Sequence, residues 1–255
     1  MSCRCAGPRP TVSSRTTRDR LGRTAVKIYA DGADLESIIA LSEDPRISGF
    51  TTNPTLMRKA GIDDYEGFAR KVLETITDHP ISFEVFADDA AEMLRQARLI
   101  ASWGDNVYVK IPVTNTAGVP SDSVVRELSA DGVHLNVTAL MTVAQVEQVA
   151  TASEGGPGHV VSVFAGRIAD TGRDPIPLMT EALEVLSSDP KLELLWASPR
   201  ELLNMVQAEE CGVHIITMTA DLLAKIPGLG KDLDQLSLET VQMFRNDAQA
   251  AEYAL

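Results

Sequence analysis

The chain has 255 residues and a formal net charge of -13, which disfavours binding along a nucleic-acid backbone. Hydrophobic residues make up 44% of it, enough for an ordinary soluble core, and no apolar run nears the roughly 18 residues that span a bilayer. Cys3, Cys5 and Cys211 form neither a disulfide framework nor a zinc signature and fit a reducing cytoplasm, and His79, His134, His159 and His214 are scattered without metal-ligand spacing.

Residues 1–24 come first and stand apart. They hold Arg4, Arg9, Arg15, Arg18, Arg20 and Arg23 against one acid, Asp19. Rich in Ser, Thr, Gly and Pro, and lacking the apolar stretch of a secretory signal, they read as a disordered basic tail outside the fold. From residue 25 a regular alternation begins. Eight short β-branched runs recur: "AVKIYAD" (25–31), "GFTTN" (49–53), "ISFEVFA" (81–87), "VYVKIPV" (107–113), "HLNVTAL" (134–140), "HVVSVFA" (159–165), "LELLWAS" (192–198) and "HIITM" (214–218). Between them lie stretches with apolar residues three and four apart, such as "DYEGFARKVLETIT" and "AAEMLRQARLIASWG". "TVAQVEQVATAS" opens on a capping threonine, and "PLMTEALEVLSS" and "PRELLNMVQAEECG" carry proline near their starts. A last helix, "SLETVQMFRNDAQAA", has no strand after it. Eight strand–helix units without a linker-like break predict one (β/α)8 barrel over 25–255, with an extra C-terminal helix. An open doubly wound sheet is the alternative, weakened because no GxGxxG follows the first strand.

Strand side chains alternate, so a barrel turns one set towards the helices and the other inward. In the fourth run Val107, Val109, Ile111 and Val113 are the helix-facing set, which leaves Tyr108, Lys110 and Pro112 inside. The same parity turns Lys27, Tyr29 and Asp31 inward on the first strand. It does so for Thr51 and Asn53 on the second, and for Ser82, Glu84 and Phe86 on the third. Asn136 and Thr138 face inward on the fifth, Ser162 and Phe164 on the sixth, and Trp196 and Ser198 on the seventh. Polar residues recurring at the carboxyl ends of so many strands, where barrel sites lie, predict a functional site. A polar plug satisfied by its own hydrogen bonds is the bland alternative. Arg167 and Arg200 come just after the sixth and seventh strands, and paired guanidinium forks suit a phosphate or another oxyanion. An interior lysine flanked by Asp31 and Glu84 fits a Schiff-base nucleophile, since a desolvated amine gives up its proton more readily.

The segments "YADGAD", "GFTTNPTLM", "SFEVFA", "NVYVKIPVT", "LNVTAL", "SVFAGRIAD" and "LWASPRE" occur one per strand. In that order they resemble the transaldolase family, in its small, fructose-6-phosphate aldolase-like branch. The resemblance implies a Schiff base on Lys110, with Asp31 binding substrate hydroxyls and moving protons at the breaking bond. It implies that Glu84 and Thr138 hold a catalytic water and that Asn53 and Asn136 position the intermediate. Thr51, Ser162, Phe164, Arg167, Ser198 and Arg200 then bind substrate and its phosphate.

Aldolase members carry glutamine at the position of Glu84 and tyrosine at that of Phe164, so both residues here resemble the transaldolases. "SVFAGR" and "ASPR" depart from the usual SPFVGR and ASFR, and Gly32 stands where threonine is usual. The resemblance thus implies a cytoplasmic enzyme acting on small sugar phosphates, as in the pentose phosphate pathway, with no metal or organic cofactor. No nucleic-acid or membrane partner is implied. The branch forms pentamers and decamers with the C-terminal helix crossing to a neighbour, so a homo-oligomer is expected. The alternatives are an aldolase that releases dihydroxyacetone, from fructose 6-phosphate or a sulfosugar, and a sugar-phosphate-binding protein without turnover.

Overall fold

The computed structural model describes residues 25–252; the basic tail at 1–24 lies outside the described residues. Eight strands close a ring: β1 (Lys27–Asp31), β2 (Ile47–Thr51), β3 (Ile81–Glu84), β4 (Val107–Pro112), β5 (Leu135–Leu140), β6 (His159–Val163), β7 (Leu192–Trp196) and β8 (Ile215–Thr219). They run in chain order, all parallel, and β1 pairs with both β2 and β8. The expected (β/α)8 barrel is therefore the fold. Helices α1 (Leu35–Ser42), α2 (Pro54–Lys59), α3 (Tyr65–Thr75), α4 (Ala90–Ala101), α5 (Asp122–Ala130), α6 (Val143–Ala152), α7 (Ala165–Ala169), α8 (Ile176–Leu186), α9 (Leu203–Cys211) and α10 (Ala220–Leu223) fill the connections, and α11 (Leu233–Ala250) comes after the last strand.

Apolar spacing does not predict three of these helices, α1, α2 and α7. They are about two turns or shorter, so a 3.6-residue period barely repeats within them. Two of their starts nevertheless carry capping chemistry. Asp34 accepts from the Ser37 N–H at 2.8 Å, and Asn53 accepts from the Leu56 N–H at 3.0 Å with Pro54 in the first turn. The capping threonine expected at 142 is present and forms a full capping box with Gln145. The ninth helix starts at Leu203, later than "PRELL" suggests, and the turn before it is pinned by Asn204 Oδ1 accepting from the Arg200 N–H at 2.7 Å.

The apolar core has two parts. The larger lies between strands and helices and includes Val109, Ile111, Leu135, Val137, Val161 and Val163. The smaller fills the barrel itself with Tyr29, Val160, Leu195, Ala197 and Ile215, against Tyr108 and Phe164. The structure corrects two inward assignments. Trp196 is fully buried, but in the outer core among the helices. The inward set of β7 is Glu193 and Leu195; apolar residues on both faces of "LELLW" hide the parity. Phe86 is 55% exposed and packs its ring 4.6 Å from that of Tyr65, because β3 ends at Glu84 and strict alternation ends with it. Lys27 does enter the barrel set, at its amino end, where its Nζ pairs with Glu193 at 2.8 Å. Helix α11 has no buried residue, and Leu233, Leu236, Leu238, Val241, Met243 and Phe244 are exposed on it. Among the described residues no helix is long and apolar enough to cross a membrane.

Candidate active site

The carboxyl ends of the strands open into a cavity of about 480 Å³. Every residue nominated from the sequence lines it: Asp31, Thr51, Asn53, Glu84, Lys110, Asn136, Thr138, Ser162, Phe164, Arg167, Ser198 and Arg200. Strand ends explain the convergence. Asp31, Thr51 and Glu84 are the last residues of β1, β2 and β3, and register pairs Glu84 with Lys110 and Lys110 with Asn136 on neighbouring strands. Inward-facing partners in register bring their side chains together across the ring.

Lys110 is 7% exposed. Its Nζ donates to the Thr52 carbonyl at 2.9 Å and lies 3.3 Å from Glu84 Oε2. A buried ammonium needs such oxygens, and these two are placed to hold it. Asp31 accepts from Thr51 Oγ1 at 2.8 Å and, at longer range, from Asn53 Nδ2 at 3.4 and 3.5 Å. Thr51 Oγ1 also meets Thr217 Oγ1 at 2.5 Å. Burial pushes the Asp31 carboxyl above the usual range and Glu84 adds to it; Lys110 and the two hydrogen-bonding side chains offset only part. On the other side Ser162 Oγ donates to Asn136 Oδ1 at 2.6 Å, and Asn136 Nδ2 donates to Ser82 Oγ at 3.0 Å. That chain fixes the amide's orientation beside the lysine. Thr138 Oγ1 is buried with no hydrogen-bond partner among the described residues. An unpaired hydroxyl costs about 1–3 kcal/mol, and Thr138 lines the cavity with Lys110.

The rim is cationic. Arg167, on α7, lies 5.4 Å from the centroid of the Phe164 ring, a cation–π distance. Arg200 Nε donates to Asp170 Oδ1 at 3.1 Å, and its Nη2 closes a second, short contact with Asp170 Oδ2. Two rim residues have left-handed backbone. Ala139 has φ 67°, where the β5–β6 register shifts, and Ser198 has φ 60° just past β7. That conformation costs a non-glycine residue about 1–2 kcal/mol. The turn at Ser198 sends a residue beyond the end of the strand back into the cavity. It also brings the Ser198 carbonyl so near Gly166 that an added Cβ would sit 1.6 Å from its oxygen. Only glycine permits that approach.

Sequence reasoning missed Thr217, Met141, Leu195 and Ala197, which also line the cavity. Parity on the eighth strand would have found Thr217; Met141 and Ala197 lie past a bulge and a strand end, where alternation gives no guide. Among the described residues no group of three or more His, Cys, Asp or Glu is placed to hold a metal ion.

Residues 28–255 match the family model described as Transaldolase/Fructose-6-phosphate aldolase. Curated relatives cover 79% of the chain. A "Probable transaldolase" of Dehalococcoides mccartyi is 34% identical over 202 residues, 90% of its own length. One of Streptococcus equi subsp. zooepidemicus is 36% identical over 202 residues and 90% of its length. A "Probable transaldolase 2" of Listeria monocytogenes is 35% identical over 202 residues and 88% of its length.

Proposed function

The chain belongs to the transaldolase/fructose-6-phosphate aldolase family, and on that premise we propose that it is a transaldolase. It moves a dihydroxyacetone unit from a ketose phosphate, fructose 6-phosphate or sedoheptulose 7-phosphate, to an aldose phosphate. The observation that carries this reading is the buried Lys110 Nζ, held between the Thr52 carbonyl and Glu84 in the cavity wall.

Each step draws on these contacts. The neutral Lys110 amine attacks the ketose carbonyl carbon, and the carbinolamine loses water to give an iminium. Glu84 accepts and returns protons through the water that forms and later hydrolyses the imine, and the unpaired Thr138 hydroxyl holds that water. Asp31 takes the proton from the hydroxyl on the far carbon of the breaking bond. The bond's electron pair moves to the iminium nitrogen, leaving an enamine on Lys110 and releasing an aldehyde. A carboxyl held above its usual range by burial suits a group that takes this proton and gives it back when the acceptor aldehyde adds. Asn136, oriented by Ser162, and Asn53 hold the fragment's hydroxyls. Arg167 and Arg200, with Ser162 and Ser198, bind the phosphate, which shares the Arg200 fork with Asp170.

Phe164 decides between transfer and release. Its ring offers no proton, so the carbanion equivalent waits for an aldehyde. Wild type should exchange fragments rapidly when fructose 6-phosphate and erythrose 4-phosphate are both supplied and release dihydroxyacetone slowly without acceptor. Phe164→Tyr places a phenol, with a reference pKa of about 10, beside the fragment and should raise release. Wild-type release as fast as exchange would replace this reading with the aldolase one.

The assembly we propose is a homo-oligomer, with α11 packed on a second copy of the chain. Support comes from the six apolar side chains that α11 leaves exposed.

A further inference from the structure

The β2–β3 ladder is short. Phe50 pairs with Ile81 and Thr51 with Ser82, and the Thr52 N–H then donates to the Ser82 carbonyl at 3.2 Å. In a parallel ladder the next bond would run from the Glu84 N–H to the Thr52 carbonyl. Here the Glu84 N–H goes to Tyr65 instead. The Tyr65 hydroxyl, at the first residue of α3, accepts from that N–H at 2.7 Å and donates to the Glu84 carbonyl at 3.0 Å. The Thr52 carbonyl takes the Lys110 ammonium at 2.9 Å in place of the ladder bond.

We infer that Tyr65 is a positioning residue for the reaction: its hydroxyl replaces the last rung of the β2–β3 ladder, fixing Glu84 and freeing the Thr52 carbonyl to aim the Lys110 amine. The inference rests on the imine chemistry assigned above to Lys110. One oxygen satisfies both main-chain groups of the residue that carries the carboxylate, so Glu84 cannot twist without breaking two bonds. The ring is itself held edge-on by Phe83, Phe86 and Trp103, with centroids 6.2, 4.6 and 5.8 Å away. Burial raises the phenol's pKa, so the hydroxyl keeps the proton it donates. Without the hydroxyl, the Glu84 N–H would turn to the Thr52 carbonyl and compete with the lysine for it.

The test is single-turnover imine formation with fructose 6-phosphate, trapped by borohydride at timed intervals. Tyr65→Phe keeps the ring and should slow trapping by about ten- to hundredfold, since a misplacement near 1 Å has that effect. KM for the ketose should change little. Trp103→Phe disturbs the same aromatic packing and should leave the rate as in wild type. Hydrogen exchange on wild type reads the contact without a substitution: the Glu84 amide should be as protected as that of Phe83. A Tyr65→Phe rate within twofold of wild type, equal slowing by Trp103→Phe, or a fast-exchanging Glu84 amide would each overturn the inference and leave the transaldolase reading intact. Absence of any imine in wild type would overturn both.

Discussion

Asp31 and Lys110 show how opposite demands meet in one wall. The Lys110 amine sits where water is scarce, and the Thr52 carbonyl and Glu84 hold it. The aspartate is buried with too little compensation, so its carboxyl is raised. The consequence for stability has a definite sign. Between the ordinary carboxylate value and the raised one, the native state holds a proton that the unfolded chain has lost. Stability therefore falls as pH rises through that window. Asp31→Asn removes the effect. It should raise the melting temperature at neutral pH, with the gain vanishing towards acid. The same substitution should strongly reduce turnover, because the base that takes the hydroxyl proton is gone. A neutral-pH melting temperature unchanged from wild type, or wild-type turnover in Asp31→Asn, would contradict this assignment.

Strand ends, rather than strands, set the shape of the rim. Past β6 and β7 the chain turns at once, and Gly166 and Ser198 meet there without room for a Cβ. Gly166→Ala forces α7 away from the Ser198 turn. Overpacking of this kind costs about 1–3 kcal/mol. It also displaces Arg167 and Arg200 relative to each other. KM for fructose 6-phosphate should rise more than KM for fructose; equal changes would mean that this junction does not set phosphate binding. The same strand ends mark how far the sequence can be read. Within strands, period-2 alternation places Lys110, Glu84, Asn136 and Ser162 on the interior face correctly. Where both faces are apolar, as at Leu194, Leu195 and Trp196, it fails and turns Trp196 to the wrong side. Beyond Glu84 it puts Phe86 inward although the strand has ended. Ser198 enters the cavity through a left-handed turn that no alternation implies. Tyr65 is invisible for a different reason: its role lies in a tertiary contact with main chain 19 residues away.

The whole molecule is acidic, with a net charge of -13, yet its cavity gathers Lys110, Arg167 and Arg200. Guanidinium groups at the mouth of the site suit an anionic sugar, while the acidic net charge disfavours polyanions elsewhere. At the far end of the chain, α11 holds Phe244 63% exposed and Val241 61% exposed. Light scattering should give a mass that is a multiple of the 27.5 kDa chain, and Phe244→Glu should lower it. A wild-type monomer would refute the proposed assembly without touching the chemistry. The chemistry itself turns on one bond, between Lys110 Nζ and the ketose carbonyl carbon. Borohydride reduction in the presence of fructose 6-phosphate, followed by intact-mass measurement and peptide mapping, reads that bond. One reduced dihydroxyacetone adduct per chain is expected, on the peptide containing Lys110, and none in folded Lys110→Ala or Lys110→Arg, whose guanidinium stays protonated. An adduct on another lysine, or full turnover in Lys110→Ala, would contradict the Schiff-base assignment.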